Sequence, residues 1–208
     1  VTYWFVFSVG FKIQPEGNIP FVIYFVCGLV PWLTFQEVLT NSVGAITSSP
    51  HLVKKVVFPV ELLPLVSALA SLVTHVALVC VLLVILAVNG MDWSWTFLNA
   101  IYYLVPMYLF ALGLGWFVSA INVFSRDVSQ ILTVVLGLWF WVTPIVWSPQ
   151  MVGTNYQHVL LLNPMYMIVD GFRNSFLHEE AVWEGGIEHL YMWGICGIVF
   201  LTGLHIFQ

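Results

Sequence analysis

The sequence predicts an all-α integral membrane protein with six transmembrane helices, the first and last incomplete, and two short re-entrant helices between the fifth and sixth. Three observations carry this prediction. Of 208 residues, 61% are hydrophobic and only 7% are charged, against roughly 25% charge in an average soluble domain. Mean hydropathy is +0.97, so the chain lacks the ionic side chains that coat a water-soluble globule. The apolar residues also fall in runs of the length, about 20 residues, that crosses a bilayer as a helix. The same counts exclude a disordered chain, which needs low hydrophobicity and high charge. They exclude a nucleic-acid binder as well, because five Lys plus Arg stand against ten Asp plus Glu, a net charge of −5.

The elements follow in order. Val1 to Phe11 is the end of a first span, closed by the polar, turn-rich stretch Lys12 to Asn18. A second span runs from about Pro20 to Gly44 with a single carboxylate, Glu37, and a third from Leu62 to Val88 has no Asp, Glu, Lys or Arg. After a polar turn at 89–92 the fourth extends from about Trp95 to Phe124. Arg126 and Asp127 interrupt the run, a fifth span covers about Val128 to Trp147, and the last begins at His189. Val1 opens directly into an apolar run and Gln208 closes inside one, so both terminal spans are expected to be cut. The whole of 1–208 reads as one transmembrane domain.

Residues 148–188 differ from the spans. Pro149, Gly153, Asn155, Asn163 and Pro164 punctuate them, an apolar stretch runs from Met165 to Val169, and acids gather between Asp170 and Glu188. Short apolar pieces bounded by turn signals predict two short helices that dip into one face of the membrane. Lys54, Lys55 and Arg126 lie in the connections after the second and fourth spans, while Lys12, Arg173 and most acids lie on the other side. The positive-inside rule therefore makes those two connections cytoplasmic and places 148–188 outside.

Several residues invite a reading by themselves. Within 48–59, Leu52, Val53, Val56, Val57 and Phe58 share one helical arc while His51, Lys54 and Lys55 occupy the rest, an amphipathic element suited to the membrane surface. Glu37 stands about 17 residues into the second span. A carboxylate in hydrocarbon is costly, so it faces protein or water, or reaches the cytoplasmic headgroups if the span overruns the bilayer. Ala111, Gly115 and Ser119 form a small-residue ridge for close helix packing. Asp170 and Arg173, three apart, can pair. Cys27, Cys80 and Cys196 are isolated in apolar runs and are expected to be buried small hydrophobes. The spacing of His178, Glu179, Glu180, Glu184, Glu188 and His189 fits no standard metal-ligand pattern, so no metal site is expected.

Particular motifs then resemble a known family. They are Gly28, Pro31, Trp32 and Phe35 in the second span, and Ser48 to Pro59 with its Lys54–Lys55 pair, followed by Pro64. Further on come Ser125-Arg126-Asp127-Val128, Thr143-Pro144-Ile145, Asn163-Pro164 and Gly171-Phe172-Arg173. In this order, across nearly the whole chain, they resemble the membrane subunit of type-2 ABC exporters. The closest likeness is to the permeases that export O-antigen and related lipid-linked polysaccharides or teichoic acids.

The resemblance implies a homodimer in the bacterial cytoplasmic (inner) membrane, with two copies of a cytoplasmic ABC ATPase subunit and a lipid-linked glycan as substrate. The chain carries no G-x-x-x-x-G-K-[ST] phosphate loop, so no cofactor is expected on it, and ATP and Mg belong to the partner. The resemblance makes 48–60 the coupling helix, with His51, Leu52, Lys54, Lys55, Val57 and Phe58 toward the ATPase. It makes Arg126 and Asp127 a structural lock or a second ATPase contact, where the residues alone read as a solvated turn. Asn163, Pro164, Asp170 and Arg173 become an outer gate. Trp32, Phe35, Trp139, Phe140, Trp141 and Trp147 serve either as interfacial belts or as the wall of a glycan conduit, since aromatic faces stack on the C–H faces of sugars. Teichoic acid, capsule, lipid and drug exporters share the architecture. An ion-coupled secondary transporter is the competing class, and it would show intramembrane acid or His networks or inverted repeats with broken helices.

Overall fold

A computed structural model describes residues 19–48, 59–151, 153–177 and 186–207, and the described secondary structure is entirely helical. The elements are α1 (Phe21–Gly44), α2 (Leu62–Val88), a 3₁₀ turn (Trp95–Leu98) leading into α3 (Asn99–Phe124), α4 (Val128–Val142), a 3₁₀ turn (Pro149–Met151), α5 (Thr154–Leu160), α6 (Pro164–Leu177) and α7 (Ile187–Phe207). Four of the apolar stretches are long enough to cross a bilayer: α1, α2, the Trp95–Phe124 run, and α7. The first predicted span lies outside the described residues. So do His51, Leu52, Lys54, Lys55, Val57 and Phe58, and with them the expected coupling helix.

Helix α2 ends as its sequence dictates. Gly90 adopts φ +72°, its N–H bonds the carbonyl of Ala87, and the N–H of Met91 reaches back to Leu86. This is a Schellman cap, in which glycine occupies the left-handed position without a Cβ penalty. The fifth span departs from expectation. Helix α4 stops at Val142, only 15 residues long, although the apolar run continues to Trp147. Pro144 is the cause: it disfavours helical backbone in the residue before it, and Thr143 is extended at φ −82°, ψ 126°. The chain turns inward there and buries Ile145 and Val146. Two short helices, α5 and α6, do occupy the 148–188 region.

Helix α1 is the centre of the fold and packs against α2, α3, α4 and α6. It runs unbroken through Pro31, a residue that cannot donate to the carbonyl of Cys27 and is tolerated in membrane helices where neighbours enclose it. Helix α3 packs against α1 and, on its other side, α7. A Cβ on Gly203 would overlap the backbone of Gly113, and one on Gly113 would come within 2.7 Å of the Phe200 Cα. The two glycines therefore let α3 and α7 cross with their backbones in contact, the small-residue packing of membrane helices. The ridge Ala111, Gly115 and Ser119 turns toward α1, where a Cβ on Gly115 would sit 2.9 Å from the Ser42 Oγ.

Apart from Thr74, the exposed surface of α2 is dominated by apolar residues, with Val66, Val73, Val76, Val84 and Val88 among them. Such a face is stable against lipid tails. Of the cysteines, Cys27 and Cys196 are buried as expected, whereas Cys80 is exposed on α2.

Candidate functional site

Three of the sequence motifs that lie far apart in the chain converge at the end of α1 that begins with Phe21, and Arg173 joins them. It projects from α6 and is 1% exposed. Its Nη1 donates to the Tyr24 Oη at 2.8 Å, and its Nη2 donates to the carbonyl of Pro144 at 3.0 Å and, more weakly, to that of Ile145 at 3.4 Å. Its guanidinium carbon lies 3.7 Å from the centroid of the Tyr24 ring. Asp170, one turn back, is 3.7 Å from Nη1. A buried cation needs this many partners, because desolvation would otherwise outweigh the attraction of one carboxylate. Planar, multiply donating geometry also explains arginine rather than lysine here.

The surroundings are shaped to admit it. A Cβ on Gly28 would lie 2.5 Å from Arg173 Nη2, so the glycine opens the α1 surface to the guanidinium. Tyr24 in turn donates to the carbonyl of Trp147 at 3.3 Å. A Cβ on Gly171 would overlap the ring of Tyr103 on α3, so this glycine lets α6 lie directly on that tyrosine.

A second junction is built on Asn163. Its Oδ1 accepts from the Trp139 Nε1 at 3.1 Å and from the Met165 N–H at 3.1 Å, and its Nδ2 donates to the Thr143 Oγ1 at 3.0 Å. One side chain thus caps α6, in the manner of an N-cap Asn, and ties that cap to the end of α4. Trp139 continues into an aromatic cluster. It stands edge-on to Phe35 at 5.4 Å, Phe110 at 6.0 Å and Trp32 at 6.4 Å between centroids. Phe140 lies 5.8 Å from Trp32 and 5.6 Å from Trp141.

The aromatic residues expected along a conduit therefore separate into two groups. Trp32 and Phe35 are 2% and 0% exposed and form the core of a single subunit, not its surface. Trp139, Phe140 and Trp147 are half-buried and Trp141 is exposed. The residues expected to form an outer gate divide similarly: Arg173 and Pro164 are enclosed, and only Asp170 and Asn163 retain access. Arg126 and Asp127 form an exposed turn between α3 and α4, in which the Asp127 carbonyl accepts from the N–H groups of Gln130 and Ile131. His178, Glu179, Glu180 and Glu184 lie outside the described residues, and among those described no three metal-ligating side chains gather.

At the opposite end, the two termini that flank 48–60 are fixed to α3. Trp116 Nε1 donates to the carbonyl of Glu61 at 2.9 Å, ahead of α2. Asn122 Nδ2 donates to the carbonyl of Val43 at 2.9 Å, in the last turn of α1. Both ends of the intervening segment are thus hydrogen-bonded to α3.

Sequence reasoning missed His75 and the hydrogen-bond partners of His189. His75, buried on α2, is hydrogen-bonded through Nδ1 to the Thr34 Oγ1 at 2.8 Å and sits edge-on to Phe172. The signal was available, since an ionisable residue inside a span otherwise free of charge calls for a named partner. His189 at the start of α7 is hydrogen-bonded to Tyr102 at 3.2 Å and Tyr103 at 3.4 Å, and Trp193 Nε1 donates to Tyr102 at 2.6 Å. Nothing in the spacing of these residues announces that cluster.

Comparison with known proteins agrees with the motifs. A family profile described as ABC-2 type transporter matches residues 1–177. The O-antigen export system permease protein RfbA of Klebsiella pneumoniae is 28% identical over 207 residues, covering 99% of this chain and 78% of that protein. Its namesake in Myxococcus xanthus is 27% identical over 178 residues, 84% of this chain and 68% of the relative. The polysialic acid transport protein KpsM of Escherichia coli is 22% identical over 197 residues, 92% and 74% respectively.

Proposed function

This chain belongs to the ABC-2 type transporter membrane family, and from that premise we propose that it is the permease subunit of an ATP-driven exporter of O-antigen-like, lipid-linked polysaccharide. The observation that carries the cargo is the match along 99% of the chain to a protein named as an O-antigen export permease. The polysialic acid transport protein matches less closely, at 22%, which favours an O-antigen type of glycan over a capsular one.

In this reading two copies enclose a conduit in the inner membrane, and two copies of an ABC ATPase bind the cytoplasmic face. The absence of a phosphate loop within these 208 residues supports placing ATP and Mg on the partner. Residues 48–60 seat in the ATPase. Their motion passes to α1, α2 and α3 through Asn122 and Trp116, a rigid-body mode of coupling. At the outer end, the Arg173 and Asn163 junctions hold α6 against α1 and α4, so that opening the conduit moves these elements as one body. The accessible aromatic edge of Phe140, Trp141 and Trp147 offers weak, repeated stacking to passing sugar rings.

The test is to express the full-length chain with the ATPase encoded beside it and to purify the complex in lipid nanodiscs. ATP hydrolysis is then measured with and without lipid-linked glycans. Stimulation by an O-antigen-type glycan is the expected result; a stable complex whose hydrolysis responds to no glycan defeats the cargo assignment.

A further inference from the structure

A cavity of about 280 Å³ lies between α2 and α3, with Phe172 and Phe176 of α6 among its walls. Those two rings are buried, whereas Val76 and Cys80 on α2 and Ile101 on α3 line the cavity and are exposed. Its inner wall is therefore aromatic, and its outer side opens on the apolar surface that meets lipid. Most of the lining is hydrocarbon; the exception with full hydrogen-bonding capacity is His75.

His75 is 5% exposed, and its two ring nitrogens are treated differently. Nδ1 lies 2.8 Å from the Thr34 Oγ1, and that hydroxyl is also 3.1 Å from the Val30 carbonyl. A hydroxyl has one proton, and a carbonyl can only accept. Both bonds are made together when Thr34 donates to Val30 and the Nδ1–H donates to Thr34, a tautomer assigned from this network. Nε2 is then a bare acceptor. It has no hydrogen-bond partner among the described residues, and an imidazole nitrogen left so in apolar surroundings favours whatever can donate to it.

Depth and size define the donor. With about 1.5 Å of rise per residue, His75 is about 20 Å from the end of α2 at Val88. An acyl chain that reached this depth would end in a methyl group, which donates nothing. A water molecule needs two to four polar partners, and this cavity offers it one strong acceptor. A cavity of roughly 150 Å³ lined by hydrocarbon admits benzene, so the larger volume here takes a substituted ring. The walls suit one: Phe172 stands edge-on to the imidazole at 6.1 Å and is 5.2 Å from Phe176 between centroids, neighbours that favour a further aromatic face or edge. We propose that the α2–α3 cavity is a binding site for a small membrane-partitioned phenol, an alkyl-substituted ring whose single hydroxyl donates to the His75 Nε2. Phe172 adjoins Arg173 on α6, so an occupant braces the helix that carries the Arg173 junction.

The test uses the full-length chain in lipid nanodiscs and two probes. One is a di-isopropylphenol carrying a photoreactive diazirine; the other is its methyl ether, which has the same body and no donor. After illumination, adducts are mapped by peptide mass spectrometry. The phenol should label residues of the cavity wall, Val76, Val79 and Ile101 among them, about fivefold more efficiently than the ether, the scale of one neutral hydrogen bond. His75→Phe keeps a ring and removes the acceptor, and should bring phenol labelling down to that of the ether while leaving the ether unchanged. Equal labelling by the two probes in the parent chain overturns the site, as do phenol adducts spread over the lipid-facing surface or a phenol advantage that survives in His75→Phe. The comparison of the two probes on the parent chain decides the matter by itself should the variant fail to fold.

Discussion

Arg173 and Tyr24, 149 positions apart in sequence, form a stacked and hydrogen-bonded pair, with the guanidinium over the tyrosine ring and Nη1 on its hydroxyl. The same arginine also holds the Pro144 carbonyl, where the chain turns away from α4. Tyr24→Phe keeps the ring but removes the acceptor, and is expected to cost about 1–3 kcal/mol. Arg173→Lys keeps the charge but cannot serve the hydroxyl and the carbonyl together, and should cost more than Tyr24→Phe. Thermal unfolding in detergent, followed by tryptophan fluorescence, ranks the two. Equal stability of Arg173→Lys and the parent chain would contradict the clamp.

The glycines of α7 make a controlled comparison. Gly203→Ala drives a methyl into the backbone of Gly113, which has no rotamer to yield, so a loss of about 1–3 kcal/mol is expected from overpacking. Gly197 has open space at its Cβ position, and Gly197→Ala should be neutral or gain up to about 1 kcal/mol from helix propensity. The same unfolding assay reads both, and a reversed order would remove the α3–α7 backbone contact from the account.

Thr34 and His75 lend themselves to a double-mutant cycle. Thr34→Val strands a buried imidazole nitrogen and should destabilise by about 1–3 kcal/mol. Combining it with His75→Phe removes both polar partners and retains the edge contact with Phe172, so the double variant should be more stable than the sum of the singles. A coupling of about 1 kcal/mol or more is expected, and strict additivity would mean the hydrogen bond contributes nothing.

Coupling can be separated from folding at the end of the bundle that flanks 48–60. Trp116→Phe preserves the ring against Phe200, 5.2 Å away, but loses the bond to the Glu61 carbonyl. Hydrolysis by the ATPase should persist while export per hydrolysed ATP falls. Phe58→Asp, in the loop assigned to the ATPase contact, should uncouple more fully and leave membrane insertion intact. The relevant measurement is the ratio of glycan exported to ATP consumed, and an unchanged ratio in both variants would remove the coupling assignment.

Much of the fold was legible in sequence, and the exceptions have physical causes. Leu62 and Val88 were read as the ends of a span and are the ends of α2, because Asn89 and Gly90 supply an unambiguous cap. Trp147 was misread as the end of the fifth span, since hydropathy continues past Pro144 while helical backbone does not. Arg173 was recognised as a motif residue, yet its partners could not be named: Tyr24 and Pro144 reach it only through tertiary packing. Trp32 and Phe35 were expected along a conduit and lie in the subunit core. In a membrane protein, lipid-facing, buried and conduit-facing aromatics have the same hydropathy, and only packing separates them.

The central claim is that this chain conducts polysaccharide across a membrane under the drive of a partner's ATP hydrolysis. Its most direct test reconstitutes the full-length chain and its ATPase into proteoliposomes with ATPase subunits facing outward, adds labelled lipid-linked O-antigen to the outer leaflet, and measures glycan protected from external glycosidase. The account predicts protection that requires ATP and is abolished when the ATPase's phosphate-loop lysine is replaced. Protection of equal extent without ATP, or none in a complex that hydrolyses ATP normally, would contradict it.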